Sequence, residues 1–513
     1  MVNPYYSPAL LLIALLIVTT GCTHFKQADI SVSAGNNAKS AVAVKTTPAM
    51  LKQTLPANWT ATPVNQLTPG EVVSGNWWTG FGDVHLNRLV ARAAGHNYQI
   101  AQSKAQSAQA RAQAIIAGAG RLPTVSAGLN TSRTRQEAGA AGFLTNQSHQ
   151  LSLLNVAWEA DLWGRLRAQS AAANASYLAS NDALRAVRQA VAAQTAKAYF
   201  AVVESRQQRA LSQRTLQVIA ETARQVGNRA DVGIASPADK YLSIANRDSA
   251  KAGLAAYQEA VNRATRQLQL LTGSYPDGQV VTANALVNTP ALPKAGLPAG
   301  LLARRPDVLA AERKLRASGF NLSAAERSLL PTISLSSGLG TASTGLRNLL
   351  NGNFGFWNLA GTLLQPIFQG GRLQANVRLN EARQQEAAHA YAQTALTALS
   401  EVETALSVRA DISRRQAALC SAANAAKAAE RIAFNRYREG IEPFLTVLES
   451  QQRTLNAASA CITARRAGLE NYIDLQLALG GGFEAQTRPL PTMRERAQER
   501  VSVLKQQLKN LTR

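Results

Sequence analysis

Asn228-Arg229-Ala230-Asp231-Val232-Gly233-Ile234 returns later as Asn435-Arg436-Tyr437-Arg438-Glu439-Gly440-Ile441, with Asn-Arg and Gly-Ile at the same spacing. The same shift, 207 to 208 residues, holds elsewhere. Leu122-Pro123-Thr124 recurs as Leu330-Pro331-Thr332, Arg165-Leu166 as Arg372-Leu373, and Leu271-Thr272-Gly273 as Leu479-Gly480-Gly481. One offset kept by four anchors marks an internal duplication, and a period of this kind decides how the rest of the chain is read.

The segments between the anchors set the element types. Arg165 to Val226 runs 62 residues without Gly or Pro, and Arg372 to Glu439 runs 68. Rich in Ala, Arg, Gln and Leu, each predicts one helix, roughly 90 Å for the first at about 1.5 Å per residue. Gly233 with Ser236-Pro237, and Gly440 with Pro443, predict turns into return helices that reach Leu271 and Leu479. Ahead of each long helix stands a shorter one, Val84 to Ala117 and Arg305 to Leu329. Between them, alternation predicts strands at about 122–132, 149–160, 330–341 and 356–368, with Gly139 to Asn146 as a loop. A long helix needs a neighbour along its whole length, which a front and a return helix supply if stacked end to end.

Composition fits this plan. The chain is 46% apolar but only 5% aromatic, a mix suited to long Ala-lined helices more than to a compact aromatic core. Net charge is +23 over 513 residues, which raises nucleic acid as a partner. No zinc spacing, RNA-binding aromatic motif or isolated basic arm supports that, so the excess charge reads as solvated helix surface. The tail from Arg488 to Arg513 carries seven Lys/Arg against two Glu and reads as a solvated helix or a disordered end.

Residues Ala9 to Val18 form an apolar run too short to span a bilayer, followed by Thr19-Thr20-Gly21-Cys22. A short apolar run ending in small residues and Cys resembles a bacterial lipoprotein signal cut before Cys22, which would then carry lipid. Thr23 after that Cys resembles lipoproteins sorted onward to the outer membrane. The expected organisation is a signal peptide at 1–21, a tether at 22–76, a first repeat at 77–278, a linker at 279–300, a second repeat at 301–483 and a basic tail at 484–513.

Four strands cannot close on themselves, and an open sheet with free edges does not sit in hydrocarbon. Alternating strands of about 9–13 residues suit a membrane barrel, so closure calls for several chains. Two chains give eight strands and a filled barrel; three give twelve and room for a lumen. A soluble four-stranded sheet packed on helices is the other reading.

The order helix, two strands, long helix, turn and return helix, duplicated, resembles the outer-membrane efflux protein family of TolC-like trimeric ducts. Local strings carry the resemblance: Trp77-Trp78 with Phe81-Gly82-Asp83, Arg304-Arg305-Pro306-Asp307-Val308 with Ala311-Glu312-Arg313, Gln365-Pro366-Ile367-Phe368 with Gly370-Gly371-Arg372, and Tyr437-Arg438 with Gly440 leading to Leu445-Thr446-Val447-Leu448. With the Cys22 signal, the chain is similar to the lipoprotein branch that serves resistance–nodulation–division pumps. The resemblance implies a mainly α fold with a small membrane β-barrel part. It implies a homotrimeric twelve-stranded barrel joined to a long periplasmic α-helical barrel, anchored by lipid in the outer membrane. It further implies a periplasmic adaptor and an inner-membrane pump as partners, and passive export of small toxic compounds. A duct for type I protein secretion is one rival, and a periplasmic adaptor or structural coiled-coil lipoprotein is another.

No catalytic constellation, metal-ligand spacing or phosphate-binding loop appears, so no cofactor is expected. The two turns are the candidate site. Gly233 and Gly440 read as C-terminal helix glycines, with Arg229 and Arg436 favoured near helix C-termini. In the resembling family such tips, here Asn228, Arg229, Gly233, Asn435, Arg436 and Gly440, form the end where the duct closes and the adaptor docks. Glu442, Leu445, Glu449 and Gln452 share a helical face, and by the same resemblance they would line the constriction, with Asp239 as a weaker first-half counterpart. The plain alternative pairs Glu449 with Arg453 on a solvated face. Cys420 and Cys461 flank Gly440 symmetrically, so a hairpin sets them level. They form either a disulfide, if their Cα atoms come within about 7 Å, or two buried thiols on different faces.

Overall fold

The structure, a computed structural model, describes residues 75–137, 143–291, 302 and 304–481. The signal segment, Cys22, the tether up to residue 74, the later part of the 279–300 linker and the basic tail lie outside the described residues.

A 3₁₀ turn at Trp77–Phe81 opens the body, and Asp83 then caps α1 (Val84–His96), its carboxylate accepting from the backbone N–H of His85 and Leu86. The front helix expected in one piece is two. Asn97 has extended backbone and accepts from the N–H of Gln99 and Ile100, ending α1 and starting α2 (Tyr98–Ala119). Asn competes for backbone donors in this way and so favours a cap over a helix interior.

Strands β1 (Thr124–Glu137) and β2 (Phe143–Ala160) follow, then α3 (Arg165–Asp231) and its return helix α4 (Pro237–Leu271). The second half runs α5 (Pro306–Arg327), β3 (Thr332–Ser343), β4 (Gly355–Leu364), α6 (Arg372–Arg438) and α7 (Phe444–Ala478). The halves match more closely than Gly and Pro placement implied. Both α3 and α6 are 67 residues long, about 100 Å each, because α3 continues through Gly227. Their return helices are 35 residues each, and α2 and α5 are 22 each. Only α1 lacks a second-half counterpart among the described residues.

The strands differ from expectation at their ends. Phe143 to Asn146, expected as loop, is paired strand, with Asn146 opposite Thr134. The β1 residues paired near it, Thr131 to Arg135, are polar on both faces, so no hydrophobic alternation announces the extension. Strand β4 stops at Leu364, short of Phe368, since Pro366 has no N–H for a ladder.

The sheet is antiparallel throughout, in the order β1-β2-β3-β4, so the pairing of β2 with β3 joins the two halves. Cross-strand partners share a face. One face carries Val125, Val156, Trp158, Leu335, Leu339, Trp357, Leu359 and Leu363; the other carries Ser126, Asn155, Ser334, Ser336, Asn358 and Thr362. The apolar side is uncovered, with Trp357 78% and Leu359 73% exposed. The outer edges of β1 and β4 have no strand partner among the described residues.

The helical core centres on α3, where Tyr199, Phe200, Val202 and Val203 pack with Leu86 and Val90 of α1, Leu268 of α4, and Leu469 and Ile473 of α7. Phe81 meets Phe200 and Tyr472 edge-on, with centroids 5.0 and 5.3 Å away. No described helix is long and apolar enough to cross a membrane.

Candidate functional site

Both hairpins turn by the same device. The N–H of Gly233 donates to Ala230 O (3.0 Å) and that of Ile234 to Arg229 O (2.8 Å); the N–H of Gly440 donates to Tyr437 O (3.0 Å) and that of Ile441 to Arg436 O (2.9 Å). This paired closure needs a left-handed residue after the helix. Gly233 (φ 74°) and Gly440 (φ 78°) supply it, where an L side chain is strained. Ser236 then accepts from the N–H of Asp239, with Pro237 at the first helical position of α4; α7 starts after Pro443 without a side-chain cap.

The two ends are fastened to each other. Arg229 lies over the Tyr437 ring, 5.1 Å from its centroid, and donates from Nη1 to Arg438 O (3.3 Å). Val226 of α3 joins Tyr437, Phe444 and Val447 in one buried cluster. Burial pushes the Tyr437 phenol up; Arg229 opposes this and Asp239 adds to it. Arg436 pairs with Glu442 (3.3 Å), and Lys240 with Asp231 (2.6 Å). This cluster was missed in the sequence. The i, i+3 spacing of Phe444 and Val447 was its only local signal, and Val226 sits in the other half.

On α7, Phe444, Val447 and Gln451 are buried, while Leu445, Glu449 and Gln452 are exposed and Glu442 half-buried. Leu445, Glu449 and Gln452 therefore lie on the side of α7 turned away from the chain's own core, whereas Glu442 precedes the helix and is paired with Arg436. Among the described residues Glu449 has no ion-pair partner, so the pair with Arg453 is not formed. Asp239 is half-buried at the start of α4, on the other tip. Asn228 and Asn435 are exposed on the last turns of α3 and α6, and Val232, Ile234 and Ile441 present apolar side chains to the outside. Farther up the second hairpin, Cys420 and Cys461 form a disulfide with their Cα atoms 4.7 Å apart. The described residues contain no cluster of His, Cys, Asp and Glu able to hold a metal.

Comparison with known proteins agrees with this architecture in both halves. The family described as outer membrane efflux protein matches residues 89–274 and 297–481. The chain is 32% identical over 414 residues to outer membrane protein OprJ of Pseudomonas aeruginosa, covering 80% of this chain and 86% of that protein. To the cation efflux system protein CusC of Escherichia coli it is 32% identical over 421 residues, covering 79% and 88%. The crystal structure of the Campylobacter jejuni CmeC outer membrane channel superposes with a TM-score of 0.78 at 25% identity, covering 85% of this chain and 95% of that one. The chain belongs to the outer membrane efflux protein family.

Proposed function

We propose that this member of the outer membrane efflux protein family is the exit duct of a tripartite efflux system. It passes small toxic compounds, handed on by an inner-membrane pump and a periplasmic adaptor, to the exterior. The observation that carries this reading is the sheet, with one apolar and one polar face and two edges that have no strand partner among the described residues. Strands β1 and β4 run in opposite directions, so β4 of one copy meets β1 of the next antiparallel. Three copies then close twelve strands around a polar lumen.

The lipid on Cys22 would hold the chain to the same membrane, and a resistance–nodulation–division pump would supply the energy. The helical hairpins form the periplasmic tunnel. Their tips, with Arg436, Ile234 and Ile441 exposed and Arg229 fastening one tip to the other, are where the adaptor docks. Threefold symmetry sets three copies of Leu445 and of Glu449 around one axis, an apolar plug beside an acidic ring, with Asp239 adding to the ring. Relatives such as CusC are named for cation export, and the cargo of this chain is set by the pump it serves.

Cross-linking of detergent-extracted protein should give a species three times the chain mass, and a stable membrane-inserted monomer would sink the reading. In planar bilayers the Leu445→Ser, Glu449→Ala protein should conduct more than wild type. Unchanged conductance with intact folding would return Glu449 to an ordinary solvated surface.

A further inference from the structure

The apolar face of the sheet changes character towards the end remote from the helices. Past Leu129, the positions of β1 on this face are Thr131, Arg133 and Arg135, opposite His149, Gln147 and Thr145 of β2. Both arginines are exposed. The segment after β3 reaches the same place. The Thr341 hydroxyl, on the face of Leu339, donates to Leu349 O (2.5 Å), which draws residues 345–351 over that side. His149 and Leu349 are buried, while Leu350 is 90% exposed and Arg347 is exposed.

Heights give this patch its meaning. At about 3.3 Å per residue and a tilt of about 40°, each strand residue climbs roughly 2.5 Å. At the base, the Trp158 indole donates to Arg121 O and the Trp163 indole to Pro331 O, an aromatic girdle at the level of Thr124. Arg133 then lies about 23 Å above Thr124 and Arg135 about 28 Å, against an apolar band about 25 Å tall. Guanidinium groups on the lipid side of a barrel, at the upper edge of the band, stand where lipid phosphates lie, and their planar fork suits phosphate oxygens. Leu346 and Leu350, exposed in the segment that follows β3, offer apolar surface to acyl chains.

We propose that Arg133, Arg135 and Arg347 form a binding site for the phosphorylated headgroup of an outer-leaflet lipid. The site rests on the reading that the sheet spans the outer membrane. It would fix the height and rotation of the barrel at its far rim, as a lipid on Cys22 would at the near one.

The test reconstitutes wild-type protein and an Arg133→Gln, Arg135→Gln, Arg347→Gln variant in phosphatidylcholine vesicles holding a minor fraction of lipid A. The lipid recovered with the re-extracted protein is then measured. Wild type should retain lipid A several-fold above its share in the vesicle, and the variant should fall to that share. An Arg→Lys variant at the three positions, which keeps the charge, should hold an intermediate enrichment and guards against a folding defect. Equal enrichment in wild type and the Gln variant overturns the proposal, and displacement of lipid A by inorganic phosphate alone assigns the site to a free anion and also overturns it. Quenching of Trp357 by brominated phosphatidylcholine, read as the difference from Trp357→Phe, separates the two layers. An unquenched Trp357 brings down the membrane reading itself, whereas quenching without enrichment brings down only the lipid site.

Discussion

Helices α3 and α6 occupy the same place in the repeat and have the same length, yet their surroundings differ. Twenty-two residues of α3 are buried, against eleven of α6. Between Leu406 and Ala433 no residue of α6 is buried, whereas the equivalent stretch of α3 buries Phe200, Val203, Gln208, Ile219 and Thr222 among others. The cause is position. One flank of α3 lies against α7 of the other half, through Lys197–Asp474 (2.5 Å), Arg466–Glu204 (2.7 Å) and Gln208 donating to Ser459 O (3.1 Å). The equivalent flank of α6 has no such neighbour among the described residues. An internal repeat that satisfies one seam within the chain leaves the matching seam for the next copy, the logic of a heterologous contact that closes into a ring.

The sharpest way to break this comparison is to truncate equivalent positions. Phe200 is 1% exposed and sits edge-on to Phe81 and Tyr199; its counterpart, Ser407, is exposed. Phe200→Ala should lower unfolding free energy by about 3–5 kcal/mol in denaturant titrations. Ser407→Ala should stay within about 0.5 kcal/mol. Comparable losses at both positions would mean that α6 is as well supported as α3.

The disulfide sharpens it next. Cys420 lies in the stretch where α6 buries nothing, Cys461 faces it from α7, and their equivalents in the first half, Gln213 and Gly253 or Leu254, are not cysteines. A cross-link over a sequence separation of 41 restricts the unfolded chain, which is worth about 2–4 kcal/mol. Cys420→Ala with Cys461→Ala should lower unfolding free energy by that amount and speed proteolysis of α6 more than of α3. Equal cleavage of both long helices would detach the bond from the open flank.

Much of the fold is legible in the residues before any coordinates, though the contrast between α3 and α6 is not. The repeat offset, the two Gly-Ile turns and the number of strands all follow from Gly and Pro placement and from alternation. What was hidden had physical reasons. Asn97 breaks the front helix through its side chain, two residues after Gly95 and without a Pro. The outer end of β1, from Asn130 to Glu137, is polar on both faces. The cluster of Val226 with Tyr437, Phe444 and Val447 joins residues more than 200 positions apart, which no local period reports. The face of Leu445 and Glu449 could be read from spacing, but its turning away from the core could not.

A smaller difference lies where each return helix ends. Asn97 donates from Nδ2 to Leu271 O (2.8 Å), and its repeat equivalent Arg305 donates from Nη1 to Ala478 O (3.2 Å). Both fasten the last turn of a return helix to the start of a front helix, but Arg305 also reaches Asp307 and Glu401, each at 2.6 Å. Asn97→Ala removes an N-cap as well and should cost about 1–2 kcal/mol. Arg305→Gln should cost at least as much, since it strips two partly exposed carboxylates of their partner. Raised salt should narrow the Arg305 effect and leave that of Asn97 unchanged. Equal salt sensitivity would reduce Arg305 to a cap like its counterpart.

The smallest effect concerns Glu430, which stands where α3 has buried Ala223. Burial raises its carboxyl above the usual glutamate range, against the nearby Thr454 hydroxyl and Lys427, which draw it down. A carboxyl raised in the folded state holds its proton more tightly there than in the unfolded chain. Its contribution is therefore most favourable below the ordinary glutamate range and declines as pH climbs through the raised value. If the neighbouring copy covers the α6 flank as α7 covers that of α3, assembly removes more water from Glu430 and moves the carboxyl further up. Glu430→Gln should then stabilise the protein at neutral pH by a fraction of a kcal/mol and flatten stability against pH in the weakly acidic range. The flattening should be greater for the trimer than for protein dissociated in detergent. An identical pH profile in the two states would show that no neighbour reaches this flank, and the seam inferred from the repeat would have to lie elsewhere on α6.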